Sequence, residues 1–141
     1  RVLGFDSKYF SSIEDKQLIK LAKEENRVIV TKDEELARAA DKINIPIVLI
    51  RNNDEIDQIL EIATKVGLSN FIMDTNSARC VNCNGRLEPI EKSRLENKVP
   101  LGVYEIQNQF WICVGCKKIY WTGTHFKKLQ EFVAKLNQRL R

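Results

Sequence analysis

Two Cys-x-x-Cys pairs, Cys80-Val81-Asn82-Cys83 and Cys113-Val114-Gly115-Cys116, constrain this chain more than any other feature. Each pair is short enough to sit on one tight turn with both sulfurs facing one point, and four thiolates around one point make a tetrahedral Zn²⁺ site. The turn chemistry agrees. Asn84-Gly85 follows the first pair and Gly115 lies inside the second, and glycine lets the backbone curl beneath the sulfurs with no Cβ in the way. The 29 residues between the pairs, 84–112, exceed a short spacer and suit a small ribbon whose strands carry the two knuckles. No cysteine is left over, which two disulfides would also satisfy, and a Cys-x-x-Cys can be a redox pair. Against disulfides, the chain is Lys-rich, shows no apolar signal segment and has enough core to fold without staples. These features point to the cytoplasm. Against redox chemistry, both pairs would have to be redox motifs. The pattern therefore reads as zinc, structural rather than catalytic because all four positions are filled.

At 141 residues the chain is one compact domain, or one domain with a small zinc module. Its 43% apolar share can bury a core, and no run approaches the roughly 20 apolar residues of a membrane span. The net charge of +4 hides an asymmetry: residues 1–76 carry 11 Lys+Arg against 14 Asp+Glu, residues 77–141 carry 12 against 5. An acidic half joined to a basic half suits a metal-dependent enzyme acting on a polyanion, although surface charge scatter gives the same numbers.

Taken in order, Gly4 has the place of a helix stop, residues 5–10 read as a short strand, and Ser12 with Asp15 forms a capping box at the start of a helix ending near Asn26. The β-branched run 27–31 suits a fully buried parallel strand. A helix over 34–42, a strand over 45–50 and a helix over 55–66 stopped by Gly67 come next. This alternation predicts an α/β fold, a parallel sheet with flanking helices. Residues 1–68 form that unit, 69–78 a polar linker, 79–121 the zinc ribbon with strands over 99–104, 109–112 and 117–121, and 122–141 a C-terminal helix. The last helix carries Phe126, Leu129, Phe132, Val133 and Leu136 on one stripe.

In a parallel sheet, ligands bind beyond the carboxyl ends of the strands, and three corners there carry acids: Glu14-Asp15, Asp33-Glu34-Glu35 and Asp54-Glu55-Asp57. Carboxylates gathered at one edge hold Mg²⁺ or Mn²⁺, which can activate water and screen a phosphodiester. Acids are equally favoured at helix starts by capping and by the helix dipole, so both readings stand. Asp33 is the least bland, because only Lys32 separates it from the buried run.

The stretches Leu3-Gly4-Phe5-Asp6, Asp15-Lys16-Gln17-Leu18 and Arg27-Val28-Ile29-Val30-Thr31-Lys32-Asp33 resemble a PIN-like nuclease domain. The later stretches Ser77-Ala78-Arg79-Cys80-Val81-Asn82-Cys83-Asn84, Val99-Pro100 and Cys113-Val114-Gly115-Cys116-Lys117-Lys118-Ile119-Tyr120-Trp121-Thr122-Gly123-Thr124-His125 are more specific. Together they resemble the RNase domain family first described at the C-terminus of the mut-seven exonuclease, which joins a PIN-like α/β domain to a zinc ribbon. The resemblance covers essentially the whole chain. It implies that Asp15 and Asp33 are catalytic acids binding Mg or Mn, and that Cys80, Cys83, Cys113 and Cys116 bind zinc. Asp6 matches a recurrent position but would sit early in its strand, at the wrong edge, and is read as structural. The family opens with a strand ending in Asp and a helix running into Val2-Leu3-Gly4; this chain begins at Arg1 with the first strand missing, so the expected site is incomplete and activity belongs to a longer parent protein.

Nucleic-acid contacts are expected from Lys32, Lys117, Lys118, Trp121 and His125, with Tyr120, Lys127 and Lys128 nearby, because mixed basic and aromatic side chains suit phosphate contact and base stacking. The aromatics serve equally as ribbon core. His125, the sole histidine, is a helix-start residue or a phosphate contact, and a weak candidate for a general base. Three functions compete: a metal-dependent endoribonuclease whose ribbon assists RNA binding, a non-catalytic RNA-binding protein with a ribonucleoprotein partner, and a protein-interaction ribbon.

Overall fold

The computed structural model describes residues 1–141. The chain divides into two compact units, one of residues 9–70 with 136–141, the other of residues 1–8 with 71–135. No helix is long and apolar enough to cross a membrane.

The first unit is α/β, with the order α1 (Asp15–Glu24), β1 (Ile29–Thr31), α2 (Glu34–Asp41), β2 (Ile47–Leu49) and α3 (Glu55–Val66). β1 and β2 pair in parallel, Ile29 opposite Ile47 and Thr31 opposite Leu49, and α2 is the crossover that a parallel pair requires. Ala22, Ile29, Leu36, Ala40 and Ile45 form the core, with Leu18, Ile19 and Ile47 packed on it. Both α1 and α2 end on asparagines in the left-handed region, Asn26 (φ 53°) and Asn44 (φ 59°). There the Arg27 and Ile45 N–H groups close on the Ala22 and Ala40 carbonyls, the arrangement that satisfies a helix's last carbonyls. α3 ends on Gly67 (φ 75°), as its sequence requires.

Two expectations fail in this unit. The run 27–31 is not fully buried: Ile29 is 4% exposed, but Val28 is 43% and Val30 48% exposed. Directly paired residues share a face, and Val48, opposite Val30, is only 2% exposed. That face is covered over β2, where α3 packs, and open over β1. The capping box is also absent. The N-cap of α1 is Glu14, with no side-chain cap, so Ser12 lies too far upstream to bond the first turn.

The second unit holds an antiparallel sheet ordered β3 (Leu87–Ile90), β4 (Phe110–Cys113), β5 (Ile119–Trp121), then α5 (Thr124–Leu140), whose last turns group with the first unit. Central β4 is the most buried strand, with Phe110 and Trp111 at 2% and 8% exposure and Cys113 fully buried. The sequence hid β3 because of Pro89. It is tolerated on an edge strand, where it need not donate to the ladder, and it lies opposite Trp111.

Residues 99–104 are not a strand but the approach to a short helix, α4 (Leu101–Ile106). The Val103 and Tyr104 N–H groups fold back onto the Pro100 carbonyl, and a proline at a helix start has its φ already set. Residues 5–10 form no strand either. Gly4 (φ 86°) turns the chain, and side chains rather than a ladder hold residues 5–7 in place. The Arg1 guanidinium donates to the Ser7, Val81 and Asn82 carbonyls, and Asn84 bonds both Asp6 and Ser7.

Candidate metal centre

The two knuckles repeat one backbone pattern. The N–H of Asn84 bonds the Cys80 carbonyl at 2.8 Å, and the N–H of Lys117 bonds the Cys113 carbonyl at 3.0 Å. Asn84 (φ 65°) and Lys117 (φ 64°) both take the left-handed conformation just after the second cysteine of their pair. The register of β3 and β4 then sets the second knuckle beside the first, with Cys113 opposite Leu87.

The four Sγ atoms lie within 4.8 Å of one another, with Cys80–Cys116 at 3.5 Å and Cys83–Cys113 at 3.4 Å. All four cysteines are free; these separations are far beyond a disulfide bond of about 2.05 Å. A tetrahedron with Zn–S bonds of about 2.3 Å has sulfurs about 3.8 Å apart, which the observed spacings bracket. The set is all sulfur and closed, so it fits a structural zinc ion. Cys80 and Cys113 are buried, Cys83 and Cys116 exposed.

The sulfurs differ electrostatically. Burial works against the Cys80 thiolate, but the Tyr120 hydroxyl and the Cys83 and Asn82 N–H groups outweigh it and bring its pKa down to about 6. The Gly85 N–H and Cys113 lower Cys83. Burial dominates at Cys113 and pushes it up to about 11. A zinc ion held by these four cysteines would supply the positive charge that a buried thiolate needs and keep all four deprotonated.

The expected catalytic acids have other visible duties. Asp33 is the N-cap of α2: its Oδ1 accepts from Glu35 N at 2.8 Å and Leu36 N at 3.1 Å. Asp15 is the first residue of α1, exposed, where its charge suits the helix dipole. The four cysteines are the only group of three or more His, Cys, Asp or Glu side chains whose ligand atoms converge.

Of the expected nucleic-acid contacts, Lys117, Lys118, Trp121 and His125 fall in the ribbon unit, and Lys32 falls in the other. Lys117 Nζ donates to the Val114 carbonyl at 2.9 Å. Lys118 Nζ stands 5.5 Å from the Tyr120 ring centroid. Trp121 packs edge-on against Phe110, and His125 is exposed on the first turn of α5. Trp111, Tyr120, Trp121 and Phe126 line one cleft of about 70 Å³, with Arg79 and Asp74 among its polar members. The Tyr120 hydroxyl as a partner of Cys80 was not readable from the sequence. Only the strand pairing brings the two together, and spacing alone carries no trace of it.

The chain thus combines a small α/β unit with a three-stranded antiparallel sheet whose four clustered cysteines could hold a zinc ion. Residues 1–133 match the family model described as Mut7-C RNAse domain, and the chain belongs to that family. No curated protein matches it, and no solved structure does.

Proposed function

We propose that this chain is the PIN-like part of a metal-dependent endoribonuclease, with its zinc ribbon holding the RNA. The observation that carries the proposal is membership of an RNase domain family across residues 1–133. In support, the ribbon unit is basic, with 12 Lys+Arg against 7 Asp+Glu, and presents an aromatic-lined cleft. Single-stranded RNA is held in this way, by cations along its phosphates and stacking on its bases.

Asp15 and Asp33 are the acids for the cutting step. Both are exposed, and Asp33 Oδ1 does the capping, which leaves Oδ2 to face a ligand. Hard carboxylate oxygens suit Mg²⁺ or Mn²⁺, which are commonly held by one or two carboxylates plus water and substrate phosphate. A cation bound there would supply a Lewis acid and a more acidic water. Lys32, exposed beside Asp33, would pair with a phosphate of the strand.

The test is cleavage of single-stranded RNA by the intact protein with Mg²⁺ or Mn²⁺. Asp33→Asn, which keeps a capping side chain, should abolish cleavage and leave folding intact; unchanged cleavage rejects the assignment. The cysteine set is the only convergent ligand group of that size, which favours a second reading, an RNA-binding protein without catalysis. Tight, salt-sensitive RNA binding with no divalent requirement would select it.

A further inference from the structure

We infer that Tyr120 is a positioning residue of the zinc site, its hydroxyl donating a hydrogen bond to the Cys80 thiolate that makes this sulfur the least nucleophilic of the four.

The geometry fixes the direction of the bond. The Tyr120 hydroxyl oxygen lies 3.0 Å from Cys80 Sγ and 3.2 Å from the Val81 backbone nitrogen. An N–H can only donate, so the Val81 N–H occupies a lone pair of the hydroxyl oxygen. The hydroxyl has one hydrogen of its own, and a metal-bound thiolate has none, so the hydrogen points to sulfur. Bonds to an ionised acceptor are about twice as strong as neutral ones. Lys118 Nζ, 5.5 Å from the ring centroid, adds positive charge beside the ring and makes the hydroxyl a better donor. Partners of this kind orient metal ligands and tune their electron density.

Cys113 is the internal comparison. Cys80 and Cys113 have the same exposure, 0%, and Cys113 Sγ has another cysteine sulfur as its side-chain partner, with no hydroxyl. Access is therefore matched, and a difference in reactivity between the two reports the hydroxyl. Cys83 and Cys116 are exposed and should react first.

The experiment treats the zinc-loaded full chain with a small alkylating electrophile and follows each cysteine by mass spectrometry, for the wild type and Tyr120→Phe. In the wild type, Cys80 should react about tenfold more slowly than Cys113, the factor for a hydrogen bond to a charged group. In Tyr120→Phe the two should react at similar rates. In the cobalt-substituted proteins, the thiolate-to-metal charge-transfer band should move to lower energy in the variant while the ligand-field bands stay tetrahedral. Wild-type Cys80 reacting as fast as Cys113 overturns the inference even where the variant fails to fold. A variant whose Cys80 becomes reactive with an unmoved charge-transfer band overturns it too, because loosened packing would then be the cause.

Discussion

Asn84 Nδ2 donates to Asp6 Oδ1 at 2.7 Å, while Asn84 Oδ1 accepts from the Ser7 N–H at 3.0 Å. One side chain thus ties residues 78 and 77 positions earlier in the chain to the turn beneath Cys80 and Cys83. Asn84 also takes a left-handed backbone, which asparagine tolerates better than most residues. Asp6→Ala should cost about 1 kcal/mol, the usual net value of such a bond. Asn84→Gly removes both bonds but keeps the left-handed turn, and should cost about 2 kcal/mol. Asn84→Ala should cost about 1–2 kcal/mol more than the glycine variant, the strain of a left-handed alanine. Denaturant titration of the three variants, with the Asp6→Ala/Asn84→Gly double mutant, would expose the coupling; fully additive single effects would count against it.

The same pair of residues shows how far the sequence could be read. Two Cys-x-x-Cys pairs announce their own convergence, since each must turn sharply and no other residue set competes for the metal. Helix ends were legible where a cap is local: Asp54 and Gly67 bracket α3 as their chemistry dictates. Residues 5–10 misled because their aromatic side chains, Phe5, Tyr9 and Phe10, suit a strand, while Asp6 and Ser7 are tethered by an asparagine far along the chain. Residues 99–104 misled for the same local reason, because Leu101, Val103 and Pro100 suit either state and only tertiary context decides. β3 was missed because Pro89 is acceptable at an edge, and edges are a property of the sheet.

Asp33 combines a local duty with a proposed catalytic one, and substitutions can separate them. Asp33→Ala removes the acceptor for the Glu35 and Leu36 N–H groups and should destabilise the chain by about 1 kcal/mol. Asp33→Asn keeps an N-cap oxygen and should lie within a few tenths of a kcal/mol of the wild type. Thermal or denaturant unfolding of both variants checks this. Equal destabilisation would mean that charge, not capping geometry, stabilises this corner.

Glu61 gives the α/β unit a pH dependence of known sign. Desolvation pushes its pKa up, but the N–H groups of Asn52 and Arg51 and the Asn52 side chain outweigh it and hold the carboxyl below its ordinary 4.5. A carboxyl depressed on folding contributes stability in full above its unfolded value, and loses it as pH falls through its folded value. Glu61→Gln should therefore melt below the wild type at pH 7. The gap should close as pH falls below about 4.5, the unfolded carboxyl value. A melting difference that persists unchanged at pH 3 would place the effect in shape rather than charge.

Removing the metal should act on one part of the chain. Ligand binding and folding are coupled in small cysteine ribbons, so chelation should open residues 79–121. Amide hydrogen exchange resolves this: β4, buried in the ribbon centre, should lose protection, while α3 in the other unit should keep it. Retained protection in β4 under chelation would contradict a metal-dependent ribbon.

Gly85 and Gly115 test how tightly the backbone wraps the sulfurs. A Cβ at Gly85 would stand 2.8 Å from Cys113 Sγ and 3.2 Å from Cys83 Sγ, whereas one at Gly115 would meet Cys83 Sγ at 3.4 Å. The first distance is shorter than real Cβ contacts, and the obstacle is a sulfur that a bound zinc ion would hold in place. A rotamer change cannot relieve it without spoiling the tetrahedron. The second is ordinary contact. Gly85→Ala should therefore weaken zinc binding by about tenfold or more, in the range seen when a metal's surroundings are altered, while Gly115→Ala should stay close to the wild type. Competition against a chromophoric chelator measures both. Equal affinities for the two variants would mean that the knuckles have slack, and that close backbone approach is not why glycine follows the first cysteine pair.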